Sequence, residues 1–239
     1  MDIIRYSKQN KVVWDNFVEN SNNGTIFHLR KFLAYHKDRK FEDCSLIFRD
    51  KNKIQTVFSG AIIDNCLYSH PGASFGGFVY NDLSFKDAKL IIEKLIHYAM
   101  NLQLSEIVII PPPFVYYKTY NETMEYCLHI SGIQVSEYYI SSFVNVKNNL
   151  LRQMHSRKRR YIKKMADEII IKESKNLDAF YPILIDNKLK HNASPTHSLK
   201  ELKLLMDTFP NDIILLLSYK DNVVIGGSLI FVANQNSCI

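Results

Sequence analysis

Two stretches of this chain, "SLIFRDKNKIQTVFSGAII" and "ILLLSYKDNVVIGGSLIFV", constrain its fold more than any other part. Each is a run of β-forming residues, a polar turn containing Lys and Asn, and a second β-forming run with a small residue beside glycine. That pattern predicts an antiparallel hairpin. Each hairpin follows two helical patterns. Before the first stand "NKVVWDNFVENS" and "LRKFLAYHK"; before the second stand "LDAFYPILIDNKLK" and "SLKELKLLMDTF". Ser198 and Glu201 give the last of these an S-x-x-E capping box. The element order repeats with little identity, Ser59-Gly60 answering Gly226-Gly227, so the chain reads as two copies of one α/β unit with mixed sheets and flanking helices.

After the first hairpin the sequence predicts a short strand "CLY", the glycine loop "YSHPGASFGGF", and an amphipathic helix "SFKDAKLIIEKLIHYAMNLQ" capped by Ser84. A buried strand "SEIVII" follows, stopped by Pro111, Pro112 and Pro113, then a helix ended by Gly132 and a long strand "IQVSEYYISSFVNV". "NNLLRQMHSRKRRYIKKMADE" predicts one helix across a domain boundary, and "IIIK" a strand after it. The expected domains are 1–148, a complete unit, and 149–239, a basic connecting helix with the N-terminal half of a second unit. By this reading the second unit is incomplete. Its last strand would then present an open sheet edge with uncovered Ile230 and Val232, a route to oligomers.

The composition, 46% hydrophobic and 23% charged, is that of a globular chain with material for a core. No run approaches the length of a membrane span. Cys44, Cys66, Cys127 and Cys238 lie far apart, which argues against a disulfide framework or a zinc site and for a reducing compartment. With no leader-like N-terminus, a cytoplasmic location is expected. The net charge of +6 is concentrated locally. Between Arg152 and Lys164 there are seven Lys/Arg and no acid. At 100° per residue Leu151, Met154, Tyr161, Ile162 and Met165 fall on one side of this helix, and Arg152, Arg159, Arg160 and Lys163 on the other. The strip is either a solvated basic face or an anion site, since Arg offers a forked donor to phosphate and Lys a point charge.

The glycine loop has three readings. It is a turn using Gly72, Gly76 and Gly77 for positive φ; or a contact for an acceptor through Tyr68, His70 or Ser74; or a phosphate-binding loop before a helix N-terminus. It lacks the G-x-G-x-x-G spacing of the last. His191 and His197 flank "NASPT", but no carboxylate or Cys completes a metal set, so no metal is expected. His197 fits either the turn before Ser198 or a cleft lining. Tyr116 and Tyr117 fit packing or a sugar platform. No Ser-His-Asp or Cys-His arrangement can be assigned.

The segments "NGTIFHLRKFLAYH", "YSHPGASFGG", "IPPPFVYY", "RKRRYIKK", "PTHSLKEL" and "VIGGSLIFV", in that order, resemble two GNAT-like units in tandem joined by a basic helix, the arrangement of the Fem-type peptidyl transferases. The resemblance implies an N-acyltransferase drawing on acyl-CoA or aminoacyl-tRNA. It further implies an amine acceptor on a nucleotide-linked sugar or a cell-envelope or surface-polysaccharide precursor. In such proteins the first unit does not hold the donor, and an Arg and a Tyr one turn apart meet an acceptor phosphate. Arg157 and Tyr161 match that spacing, with Arg160 and Lys163 beside them. The same resemblance brings in Tyr68, His70, His36, Lys37 and His197 as acceptor contacts. The reaction it implies is direct attack of an amine on the donor carbonyl, aided by positioning and backbone N–H groups. Two rival readings stand beside it. One is a catalytically inactive remnant that binds an anion through its basic helix. The other is an RNA-binding module, with tRNA as partner, disfavoured by the single aromatic in the strip.

Overall fold

The computed structural model describes residues 1–35, 41–146, 149–235 and 237–239. They form two compact units, Met1–Ile140 with Ala233–Ser237, and Ser141–Val232 with Cys238–Ile239.

The first unit is built on β1 (Asp2–Arg5), α1 (Lys11–Asn20), a 3-10 turn (Ile26–His28), α2 (Arg30–Leu33), β2 (Glu42–Asp43), β3 (Leu46–Asp50) and β4 (Lys53–Ile63). It continues with β5 (Cys66–Ser69), β6 (Gly77–Tyr80), α3 (Phe85–Asn101), β7 (Glu106–Val108), a 3-10 turn (Phe114–Tyr116) and α4 (Thr123–Ile130). The predicted hairpin is β3–β4, in register from Leu46 opposite Phe58 to Asp50 opposite Lys53. Period-two alternation sorts the apolar residues onto two faces. Leu46, Phe48, Phe58, Phe78 and Tyr80 meet Ile91, Ile92 and Leu95 of α3 and Met124 of α4. Ile47, Val57 and Val79 meet Trp14 and Val18 of α1 on the other face. Each fully buried residue of this size contributes about 1.5–3 kcal/mol. Ser84 caps α3 as its sequence indicates, accepting from the Asp87 backbone N–H.

β4 has four neighbours. Along one edge it pairs with β3 and then β2. Along the other it pairs with β6 at Thr56–Ser59 and with β5 at Gly60–Ile63. β5 also pairs in parallel with β7. The glycine loop therefore joins two strands of the same sheet edge. β6 was not legible in the sequence, and it separates the loop from the helix α3.

The second unit holds α5 (Leu150–Gln153), α6 (Ser156–Met165), β8 (Ile170–Ser174), α7 (Leu177–Leu189), α8 (Leu199–Thr208), β9 (Ile213–Lys220) and β10 (Val223–Asn234). With β11 (Ser237–Cys238) the second sheet has the order β11-β10-β9-β8. Leu215 and Leu217 of β9 pack on Leu177 and Phe180 of α7 and Leu202 of α8. The capping box of Ser198 and Glu201 is formed. The repeat is visible in topology: β1 lies antiparallel to β3 and β8 antiparallel to β9, each before two helices and a hairpin. The glycine pairs do not correspond, however. Gly60 sits where β4 passes from β6 to β5, and Gly226 at a bulge opposite Ser218.

Three expectations are corrected. Residues 133–146 form no strand, because no edge of either sheet pairs with them; Tyr138, Tyr139 and Ile140 are exposed. The single basic helix is two, α5 and α6, broken where Met154 takes extended φ/ψ and His155 caps α6 with its ring. On α6 Tyr161 and Ile162 are exposed and Met165 is half-covered. Ile230 and Val232 are half-buried rather than uncovered.

Close backbone approach at Gly76 makes a direct test. A Cβ there would lie 2.7 Å from the His70 backbone nitrogen and 3.2 Å from the Ser59 carbonyl oxygen, whereas a Cβ at Gly226 meets nothing within 4 Å. Gly76→Ala should destabilise the protein by about 1–3 kcal/mol in urea unfolding, and Gly226→Ala should leave the midpoint unchanged or raised. Equal effects would contradict the packed loop.

Candidate functional site

The glycine loop is tied down from inside the first unit. The His70 N–H donates to the Ser59 carbonyl at 3.3 Å, the Ala73 N–H to the His70 carbonyl at 3.3 Å, and the Gly76 N–H to the Ile110 carbonyl at 3.0 Å. Tyr35 Oη donates to the Gly72 carbonyl at 2.9 Å. Phe75 stands edge-on to Phe27, with 5.6 Å between centroids. Backbone N–H groups spent in this way are not aimed outward at a phosphate, and the loop opens onto a strand. Of the three readings the phosphate loop is thereby overturned. Gly72 and Gly77 have φ of +82° and +78°, as the turn reading expects, but Gly76 does not take positive φ; it is needed there for close backbone approach instead.

Of the loop's polar candidates, Ser74 is exposed, Tyr68 half-buried on β5 and His70 only 2% exposed. The His70 ring meets Phe41 edge-on at 5.0 Å, and its Nδ1 lies 3.1 Å from the Pro71 carbonyl oxygen. Burial pushes its pKa down to about 4, with the Asp43 carboxylate pulling the other way and Arg30 reinforcing the fall. His28, fully buried, is also held at about 4 by burial, partly offset by the backbone of Gly76 and Thr25. The Thr25 N–H donates to its Nδ1 at 3.1 Å, which places the proton of the neutral ring on Nε2.

Beside His70 lies a charge cluster that is not apparent in the sequence. Arg30, 7% exposed, pairs with Asp43 and donates to Ser45 Oγ at 2.8 Å. Its guanidinium sits 3.7 Å from the centroid of the Tyr6 ring. The Arg30 N–H donates to Asp15 at 2.7 Å. Burial alone would raise the Asp43 carboxyl; Arg30 and Ser45 hold it below the ordinary value. Asp15 is raised by burial, which its bond from Arg30 only partly offsets. The one sequence signal was Arg30 beside Lys31 in the stretch "FHLRKFL", whose Phe and Leu residues mark it as core-forming.

Tyr116 is buried against Phe75, and Tyr117 donates to Glu125 at 3.0 Å, so both serve packing. In the second unit, Arg157, Arg160, Tyr161 and Lys163 of α6 are all exposed, and among the described residues their side chains make no ion pair. Ideal helical geometry puts Arg160, Lys164, Arg157 and Tyr161 within about 100° of one another. Lys163 points away from this face. His197 is half-buried near Phe231, and its carbonyl accepts from Tyr181 Oη at 3.1 Å. His191 is exposed. His36 and Lys37 lie outside the described residues. Tyr68 and His70 thus belong to one unit, and the α6 residues and His197 to the other.

No family model and no curated protein matches the chain. The solved structures give a likeness. The fold is similar to that of FemX. The match to "Crystal structure of FemX" has a TM-score of 0.61 at 17% identity and covers 91% of this chain and 57% of that one. The chain thus spans less than two thirds of the FemX chain, and the likeness is one of fold: mixed α/β, two sheets, flanking helices. Among the described residues no helix is long and apolar enough to cross a membrane.

The two buried neutral histidines fix a pH dependence. Their folded pKa values lie below the unfolded value near 6.5, so the unfolded chain binds protons that the folded chain refuses. The stability they carry is complete above about pH 6.5 and falls as pH drops toward 4. The slope should approach about 1.4 kcal/mol per pH unit for each histidine. Urea midpoints at pH 7 and pH 5 measure it. His70→Asn, which keeps a donor toward Pro71, should remove one histidine's share; a flat wild-type profile would refute the assignment.

Proposed function

We propose that this chain is part of an N-acyltransferase of Fem-like architecture, moving an acyl or aminoacyl group to an amine on a nucleotide-linked sugar or related cell-envelope or surface-polysaccharide precursor. The observation that carries the proposal is the exposed cationic face of α6, in a chain whose fold is similar to FemX. Arg157, Arg160 and Lys164 share that face with Tyr161. A diphosphate supplies several acceptor oxygens, which a forked guanidinium, an ammonium and a phenol hydroxyl meet together. In this reading Arg157 and Tyr161 grip the acceptor phosphate and Arg160 adds charge.

The chemistry proposed is attack of a neutral amine on the donor carbonyl, with the tetrahedral oxyanion met by backbone N–H groups. Acyl-CoA or aminoacyl-tRNA is the donor, and a cytoplasmic setting supplies both. No metal enters the scheme. The second reading, favoured by the same cationic face, is a non-catalytic anion binder; it predicts identical acceptor binding without turnover.

Titration of a UDP-sugar and of tRNA at two salt concentrations tests the proposal. Arg157→Ala and Tyr161→Phe should each weaken UDP-sugar binding. The Arg change should cost about 1.5–3 kcal/mol, a tenfold loss or more. Thermal stability should hardly move, because exposed charges contribute under about 1 kcal/mol. Unchanged affinity in both variants would defeat the anion site. A steep salt-dependent loss of tRNA alone, scaling with each cation removed, would favour the nucleic-acid reading.

A further inference from the structure

The first unit contains a pocket of about 350 Å³ lined by Asn22, Asn81, Asp82, Lys118, Thr119 and Asn121. It lies among three segments: the end of α1, the turn after β6 and the loop before α4. These are cross-braced. The Asn22 amide donates to the Thr119 carbonyl and accepts the Thr119 N–H, both at 2.8 Å. The Asn22 N–H donates to the Tyr80 carbonyl and its carbonyl accepts the Lys118 N–H, both at 2.9 Å. The next residue, Asn23, holds Phe78 and Tyr80 of β6 in the same reciprocal way at 2.9 Å each. The floor is therefore fixed before any ligand arrives, and its amides are already committed.

The rim differs. Asp82 and Lys118, of opposite charge, line the same small pocket yet do not pair with each other. Each is held on its own wall. Lys118 Nζ donates to the Glu19 carbonyl at 3.3 Å, and Asp82 Oδ1 accepts from the Asn121 amide at 3.4 Å. Asn121 is itself fixed by accepting the Thr123 N–H at 2.8 Å. The lining therefore carries one cation and one anion that do not pair with each other, together with the exposed Asn81 and Thr119. A nucleotide or other polyanion would meet Asp82 at the rim. An acyl chain would find no apolar side chain among the lining residues. A small molecule carrying one ammonium and one carboxylate satisfies both charges together.

We infer that this pocket binds a small zwitterion of the free α-amino-acid class, Asp82 receiving the ammonium and Lys118 the carboxylate. The site lies wholly within the first unit and does not depend on the anion face of α6.

The test is calorimetric titration of the full chain with the free amino acids one by one, up to about 10 mM. At least one should bind at a single site. Its N-acetyl and carboxamide forms, each lacking one charge, should bind tenfold more weakly or worse. Asp82→Asn, which keeps the oxygen that accepts from Asn121, and Lys118→Gln should each cause a similar loss. Urea midpoints of both variants, measured in parallel, should match wild type because both residues are exposed. The inference is overturned if no amino acid binds, if the capped forms bind as well as the free one, or if both variants retain wild-type affinity. UDP-sugar binding by the same variants should be unaltered, so failure here and failure of the transferase proposal read out on different ligands.

Discussion

β4 has to satisfy four strands at once, and much of the polar structure of the first unit follows from that demand. At Gly60 its partner on one edge changes from β6 to β5, and beyond Phe58 its partner on the other changes from β3 to β2. A strand that changes partners leaves ladder groups that no neighbour can reach, and a buried unpaired backbone group costs as much as a lost hydrogen bond. The chain fills these places with short polar side chains and loop backbone. The Ser59 carbonyl takes the His70 N–H, the Gly60 carbonyl takes the Cys44 N–H at 2.9 Å, and one strand over Ser69 Oγ accepts the Ile110 N–H. Asn23 supplies the donor and acceptor that a further strand would have given to β6. The glycine loop belongs to the same solution. It carries the chain from β5 to β6 along one edge of β4, close enough to the backbone there that Gly76 has no room for a Cβ.

The buried ions near the loop are a second consequence. Taking a guanidinium out of water costs several kcal/mol unless its donors are met. The two terminal nitrogens of Arg30 meet Asp43 and Ser45 while its buried Nε has no hydrogen-bond partner; the guanidinium lies over Tyr6 and Trp14, and the backbone N–H is taken by Asp15. One side chain thereby joins α1, α2, β2 and the start of β3. A pair of this kind adds little over an apolar core, but removing one partner alone strands the other, which is how such a cluster enforces one arrangement of the segments it joins.

What the sequence disclosed and what it concealed divide by distance along the chain. Alternation of Leu46, Ile47 and Phe48 is local, as are the caps Ser84 and Ser198, and these were legible because the residues that decide them are neighbours. β6 was hidden because Gly76-Gly77 reads as loop, and four residues, "GFVY", carry too short a pattern to outweigh it. Residues 133–146 were misread for the converse reason. Their apolar and β-branched content is strand-like, but a strand exists only where another offers its edge. Arg30 and Asp43, and the Asp82 and Lys118 that line one pocket, are not neighbours in sequence. No periodicity announces a pairing, or a missing pairing, that only the assembled fold creates.

α6 shows the same logic from the side of function. Packing stabilises most helices in proteins, and an isolated helix of ten residues is marginal. α6 has little packing: every residue from Ser156 to Lys164 is exposed. Its charges do not compensate. Arg159 with Lys163, and Arg160 with Lys164, are like-charged pairs at i,i+4, each unfavourable by about 0.2–0.5 kcal/mol. Arg157 sits in the first turn, where the macrodipole disfavours a cation, although Lys163 and Lys164 in the last turn are well placed. A fold that keeps such an element gains nothing from it in stability by itself. A phosphate-bearing ligand on the face shared by Arg157, Arg160 and Lys164 would offset the Arg160–Lys164 repulsion and give the forked donors their acceptors. The proposed function therefore rests on the exposed face of α6 and not on the tightly bonded glycine loop.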